Sequence, residues 1–174
     1  MENTETSKQE ILLNNAQKAY IKKVSNPFAF RLWTLMQVPL GFIAGMKLIK
    51  LNTKSAESTL PFKWLNQNPF KSIYFAAQSM AAELSTAALA ITAIQGYKPS
   101  IATIIVNLEA EFVKKATGKV TFTCEEGAAF FEAVNKCITN KEAVLVKAKT
   151  TGKMADGTVV SIFWFTWSFK QRNK

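Results

Sequence analysis

Histidine is absent from this sequence, and that absence removes several chemistries together. Ser-His-Asp and Cys-His mechanisms need an imidazole, as do the commonest zinc and non-haem iron centres. Acid–base work must fall to carboxylate, lysine, tyrosine or water. Cysteine is scarce as well. Cys124 and Cys137 lack metal-ligand spacing and, with no secretory signal in the polar start MENTETSKQE, are expected as thiols in a reducing, cytoplasmic compartment. Acids number 12 against 22 basic residues, and none pair at metal spacing. Glu125 and Glu126 are adjacent and on a strand would face opposite sides, while Glu109 and Glu111 share a face without a further ligand. A glycine-rich phosphate loop is missing too. Neither a metal nor another cofactor is expected.

What remains is 174 residues, 48% hydrophobic and 20% charged, enough to bury one domain's core. The net charge of +10 comes from scattered lysines, among them Lys22-Lys23, Lys114-Lys115 and the tail Lys170 to Lys174. Solvated surface is the first reading of this charge, and a polyanionic ligand such as a coenzyme A tail the second. Nucleic acid comes last, because no recognition-helix or RNA-binding signature accompanies the lysines.

The longest apolar run, Ser72 to Tyr97, carries a single charged side chain, Glu83. The run is long enough to cross a bilayer. Its Gln78, Ser79, Ser85, Thr86 and Thr92, its many alanines and the central Glu83 instead indicate a helix buried by protein. No membrane span is expected. A lone carboxylate there must be desolvated, hydrogen-bonded or at work. Fifteen residues before it stands Asn68, in the loop-like stretch Asn66-Gln67-Asn68-Pro69.

Periodicity places an amphipathic helix over residues 8–24 and a second, short helix from Asn26-Pro27, with Pro at its first turn. Lys47 to Trp64 reads as two strands or a hairpin around Asn52-Thr53-Lys54. The long helix runs from Ser72 to Gln95 and stops at Gly96, with Pro99 beyond. The period then changes to two. Ile101–Val113 is a strand presenting Ala102, Ile104, Val106, Leu108, Ala110 and Phe112 on one face, and Lys119–Cys124 is the next. Glu126 to Cys137 is either a short helix or an irregular crossover. Ala143–Thr151 and Thr158–Phe169 are strands joined by the turn Met154 to Gly157. The aromatic residues Phe163, Trp164, Phe165, Trp167 and Phe169 read as filling a dimer or sheet–helix core rather than as a base-stacking platform. The class is α+β: a helical extension over residues 1–40 and one domain over 41–174, a long helix followed by an antiparallel meander.

That outline resembles the hotdog fold. The stretch NPFKSIYFAAQSMAAE, Asn68 to Glu83, resembles the signature of hotdog thioesterases of the phenylacetyl-CoA-thioesterase-like group: an Asn, a His-Gly-Gly at the helix start six residues later, and an acid fifteen residues after the Asn. Asn68 and Glu83 match; Tyr74 stands where the His would be, and Phe75-Ala76 replace the two glycines. Ile101 to Cys124 is similar to the family's following strand, turn and strand. The resemblance covers roughly residues 40–170, and the Tyr-Phe-Ala variant most resembles the superfamily's uncharacterised thioesterase-domain branch.

The resemblance implies a hydrolase of acyl-CoA-type thioesters, working as a homodimer or tetramer with its cleft at a dimer interface. Glu83 would be base or nucleophile, Asn68 would hold the water or the carbonyl, and the Tyr74 hydroxyl would donate a hydrogen bond. The backbone N–H groups of Tyr74, Phe75 and Ala76 would receive the oxyanion, Gln78 and Thr86 would orient Glu83, and Lys114 and Lys115 are candidates for coenzyme A phosphates. Plainer readings stand beside these: an interfacial acid satisfied by Thr86, Ser79 or a partner lysine for Glu83, a turn residue for Asn68, interface packing for Tyr74, and solvated lysines at 114 and 115. The alternative function is a non-catalytic dimer that holds an acyl chain or other apolar ligand.

Overall fold

The structure, a computed structural model, describes residues 11–173. Three helices precede the first strand: α1 (Asn15–Val24), α2 (Pro27–Gln37) and α3 (Pro39–Ala44). The amphipathic helix expected over 8–24 begins at Asn15, and its residues 8–10 lie outside the described part. Asn14 and Gln17 form a reciprocal cap, each side chain accepting the other's backbone N–H at 2.9 Å. Asn26 caps α2 by accepting from Phe28 and Ala29 N–H, and Pro27 fills the first position as its fixed φ favours.

Strands β1 (Lys47–Leu51) and β2 (Ala56–Leu60) form the expected hairpin, its turn held by Asn52 Oδ1 accepting from Lys54 and Ser55 N–H. The long helix, α4 (Phe75–Ala93), is followed by β3 (Ile101–Phe112), β4 (Val120–Cys124), α5 (Gly127–Asn140), β5 (Val144–Met154) and β6 (Val159–Gln171). The segment left open between helix and crossover is thus a helix, α5, whose Phe130, Phe131, Val134 and Cys137 pack inward. All six strands make one antiparallel sheet in the order β1-β2-β4-β5-β6-β3, with β1 and β3 at the edges. A long helix held in an antiparallel sheet is the hotdog fold.

Alanine is why α4 sits so close to the sheet. Ala77, Ala81, Ala82, Ala88, Ala90 and Ala93 are buried and keep side-chain bulk out of the helix–sheet layer, which Phe122, Phe163, Phe165 and Phe169 fill from the strands. Polar ties then fix the rotation of α4. Ser161 Oγ donates to Gln78 Oε1 at 2.8 Å, Ser85 and Thr150 hydroxyls meet at 2.8 Å, and Trp167 Nε1 donates to Thr86 Oγ1 at 3.1 Å. At about 100° per residue, Glu83 lies about 140° round from Gln78 and about 160° from Ser85. The helix is therefore locked with Glu83 on the side away from the strand residues that hold Gln78 and Ser85. The N-terminal helices are fastened to the far end of α4, where Asn14 Nδ2 donates to Gln95 C=O at 2.9 Å and Gln17 Nε2 to Ala93 C=O at 3.1 Å.

Two readings of the sheet need correction. The register of β3 against β6 shifts between Ile105 and Asn107, and such a bulge resets the alternation. Leu108, Ala110 and Phe112 pair with Phe165, Phe163 and Ser161 on the inner face, whereas Ala102 and Ile104 pair with Lys170 and Ser168 on the outer one. The single face expected from Ala102 to Phe112 is thus split in two. In β6, strict alternation buries Phe163, Phe165, Trp167 and Phe169 but turns Trp164 outward, where Lys149 Nζ lies 5.9 Å from its ring.

Candidate active site

The loop before α4 is built around Asn68. Its Oδ1 accepts from Phe70 N–H at 3.0 Å, Ser72 N–H at 3.2 Å and Ser72 Oγ at 3.2 Å, and its backbone N–H donates to Ser72 C=O at 2.9 Å. These donors commit the amide oxygen to the turn. The Nδ2 group has no acceptor among the described residues and remains a free donor. Ile73 N–H is bound by Ala116 C=O at 2.8 Å and Tyr74 N–H by Asn66 C=O at 2.7 Å. Those two bonds keep the chain extended, so α4 starts at Phe75 rather than at Ser72.

Tyr74 is the N-cap and offers no side-chain cap. Its N–H is already spent on Asn66, which removes it from the donors that the resemblance implies. The N–H groups of Phe75 and Ala76 point out of the first turn with no intrahelical partner and no other acceptor among the described residues. The Tyr74 ring meets the Phe75 ring edge-on at 4.8 Å, and Phe75 meets Phe112 of β3 at 6.3 Å.

Asn68, Tyr74 and Phe75 line an open cleft of about 540 Å³, and Ala76 sits just behind its lining. Of the residues singled out in the sequence, Asn68, Tyr74, Phe75, Gln78, Lys114 and Lys115 border it. Gln78 is spoken for: its Nε2 donates to Ile73 C=O at 3.1 Å while its Oε1 accepts from Ser161. Lys114 and Lys115 are exposed at its rim. Sequence reasoning missed Phe112 and Val113 as a wall of this cleft; the length of β3, which carries both to the helix start, was the available signal.

Glu83 lies elsewhere. It borders a second, smaller cavity of about 180 Å³, between α4 and the N-terminal helices, together with Tyr20, Phe30, Trp33, Thr34 and Ala87. Burial pushes the Glu83 carboxyl above its ordinary range, and no described residue hydrogen-bonds or ion-pairs with it. Neither residue expected to orient it does so. Thr86 Oγ1 donates to the Glu83 backbone carbonyl at 3.0 Å and accepts from Trp167, and Gln78 turns to the sheet. Between Tyr74 and Glu83 the helix rises about 14 Å at 1.5 Å per residue. Within one chain the donors and the acid do not meet.

The fold is the hotdog fold, shared with proteins that are named thioesterases. Similar solved structures include a Pseudomonas aeruginosa protein of unknown function called a “Probable Thioesterase”, 13% identical, with a TM-score of 0.71 over 92% of this chain and 99% of that one. A thioesterase family protein from Silicibacter pomeroyi is 16% identical, with a TM-score of 0.59 over 88% and 99%. A thioesterase from Haemophilus influenzae is 11% identical, with a TM-score of 0.55 over 80% and 88%. No curated protein matches the sequence. The chain belongs to the family described as “Domain of unknown function (DUF4442)”, whose profile matches residues 29–168. Among the described residues, no helix is long and apolar enough to cross a membrane.

Proposed function

We propose that this protein hydrolyses acyl-CoA-type thioesters at a cleft shared between two copies of the chain. The observation that carries the proposal is the division of groups: free donors at the start of α4 and, two and a half turns along the same helix, a desolvated carboxylate with no partner among the described residues. Hydrolysis needs both within one substrate's reach. Two copies with their α4 helices antiparallel would set Glu83 of one chain against Asn68 and Phe75 of the other. The edge strand β3 supports such a pairing. It is 12 residues long, has one unpaired edge, and leaves Leu108 and Phe112 about half exposed on the inner face.

In this arrangement Asn68 Nδ2 holds the thioester carbonyl, and the Phe75 and Ala76 N–H groups receive the negative charge as the tetrahedral oxyanion forms. The Tyr74 hydroxyl, on a half-exposed ring, is a further donor. Glu83 takes a proton from the attacking water, and its raised pKa makes it a stronger base near neutral pH than an ordinary carboxylate. The C–S bond then breaks and the thiolate leaves. Lys114 and Lys115 face the phosphates of the leaving group. The free, buried thiols Cys124 and Cys137 fit a cytoplasmic setting.

The Phe75 side chain, where the resembling signature has glycine, favours a second reading: a dimer that holds an acyl ligand without cleaving it. Turnover of an acyl-CoA panel by the native protein and by Glu83→Gln separates the two. Hydrolysis that falls at least a hundredfold in the variant is expected. No turnover anywhere, or turnover indifferent to the substitution, overturns the hydrolase.

A further inference from the structure

We infer that the cavity behind Glu83 is the acyl slot, and that the N-terminal helices, by walling it, set the length of acyl group the protein accepts. This rests on the shared-cleft reading above. From α4 the slot is lined by Ala87 and Ala88 between Leu84 and Ile91, from the extension by the rings of Tyr20, Phe30 and Trp33, and at the first strand by Met46 and Leu48. The Phe30 and Trp33 rings stack on each other at 5.9 Å and 30°. Among the described residues, Glu83 is the only charged one in its lining. The lining is otherwise nearly all apolar, the composition that recognises hydrocarbon.

Its position suits an acyl tail. A thioester carbon attacked beside Glu83 lies at the edge of this slot, so the alkyl chain has a dry path away from the reacting atoms. The coenzyme end then lies in the other, open cleft with Lys114 and Lys115. The volume sets a limit. At about 30 Å³, a water's share of liquid volume and close to that of a methylene group, 180 Å³ takes about six carbons. Past that length the chain meets the anchored extension, which Asn14 and Gln17 tie to the end of α4. The substrate class is therefore acyl-CoA of short chain, and Trp33 and Ala87 are its specificity-determining residues.

Saturated acyl-CoAs from acetyl to dodecanoyl, titrated calorimetrically into the turnover-blocked Glu83→Gln protein, test this without relying on hydrolysis. Affinity is expected to rise about fourfold per methylene up to about six carbons and to stop rising or fall thereafter. Ala87→Phe, which fills the slot, should move the break to shorter chains. Trp33→Ala, altering a half-exposed wall residue, should move it to longer ones and serves as the check should Ala87→Phe not fold. Affinity independent of chain length, or a break unmoved in folded variants, overturns the slot. Length-graded binding with no turnover by the native protein keeps the slot and overturns the hydrolase. Glu83-dependent turnover with no length dependence does the reverse.

Discussion

If the acid and the donors of one site come from two chains, two inactive variants must rescue each other. Asn68→Asp is the suitable first variant. The Asp keeps an Oδ1 acceptor for Phe70 and Ser72, so the turn is held, and it loses only the Nδ2 donor, which has no partner among the described residues. Losing one such donor costs about a hundred- to thousandfold in kcat. Glu83→Gln is the second variant. In a mixed dimer, the intact Asn68 of one chain meets the intact Glu83 of the other at one site, while the second site carries both lesions. Random exchange makes about half the dimers mixed, each with one working site of two, so about a quarter of native activity should return in the mixture and about half in the isolated mixed dimer. The assay is coexpression or dissociation and remixing of differently tagged variants, with isolation of the doubly tagged dimer and measurement of thioester cleavage. Doubly tagged dimer with no more activity than its parents refutes the shared site. The α4 geometry makes the outcome sharp, because about 14 Å of helix between Tyr74 and Glu83 leaves no way to form the same site inside one chain.

Glu83→Gln should also change stability in a chosen direction. Burial raises the carboxyl pKa in the folded chain above its unfolded value, so the protonated form is favoured on folding. That stability is fully present below the unfolded pKa, near 4.5, and is lost as pH rises through the folded pKa. Over that window the slope is up to about 1.4 kcal/mol per pH unit. Chemical denaturation across pH should show the slope in the native protein and its loss in the variant; a variant less stable at pH 8 sinks the reasoning. Gln78→Leu strands Ile73 C=O and Ser161 Oγ in a buried layer. It should cost about 1–3 kcal/mol, a fall in Tm of several degrees, and no loss in calorimetry means the two groups found other partners. Lys114→Ala with Lys115→Ala should raise KM several-fold and leave kcat alone, less so at high salt. An unchanged KM removes both from the phosphate site.

How much of this was legible depended on whether a feature needs one segment or two. The long helix was, because alanines around one acid have no other soluble home, and the Asn52 and Met154 turns were, because turn chemistry is local. The α4 start was misplaced by three residues because its limit is set by partners at Asn66 and Ala116, and nothing in Ser72-Ile73-Tyr74 itself announces them. The β3 bulge has the same origin. A run of alternating apolar residues cannot show where its neighbour slips register, so Ala102 and Ile104 seemed to share a face with Leu108 and Phe112.

The site divides along the same line. The spacing from Asn68 to Glu83 is a property of one segment and could be read. That spacing carries no information on direction. Gln78, Ser85 and Thr86, bound to three different strand residues, rotate α4 until Glu83 faces the N-terminal helices. Two of these, Gln78 and Thr86, had seemed partners for the acid. Gln78 instead ties α4 to Ser161 on the side away from Glu83, and Thr86 ties it to Trp167. The acid is left half-buried beside the N-terminal helices, and that burial raises its pKa toward the basicity the proposed reaction needs.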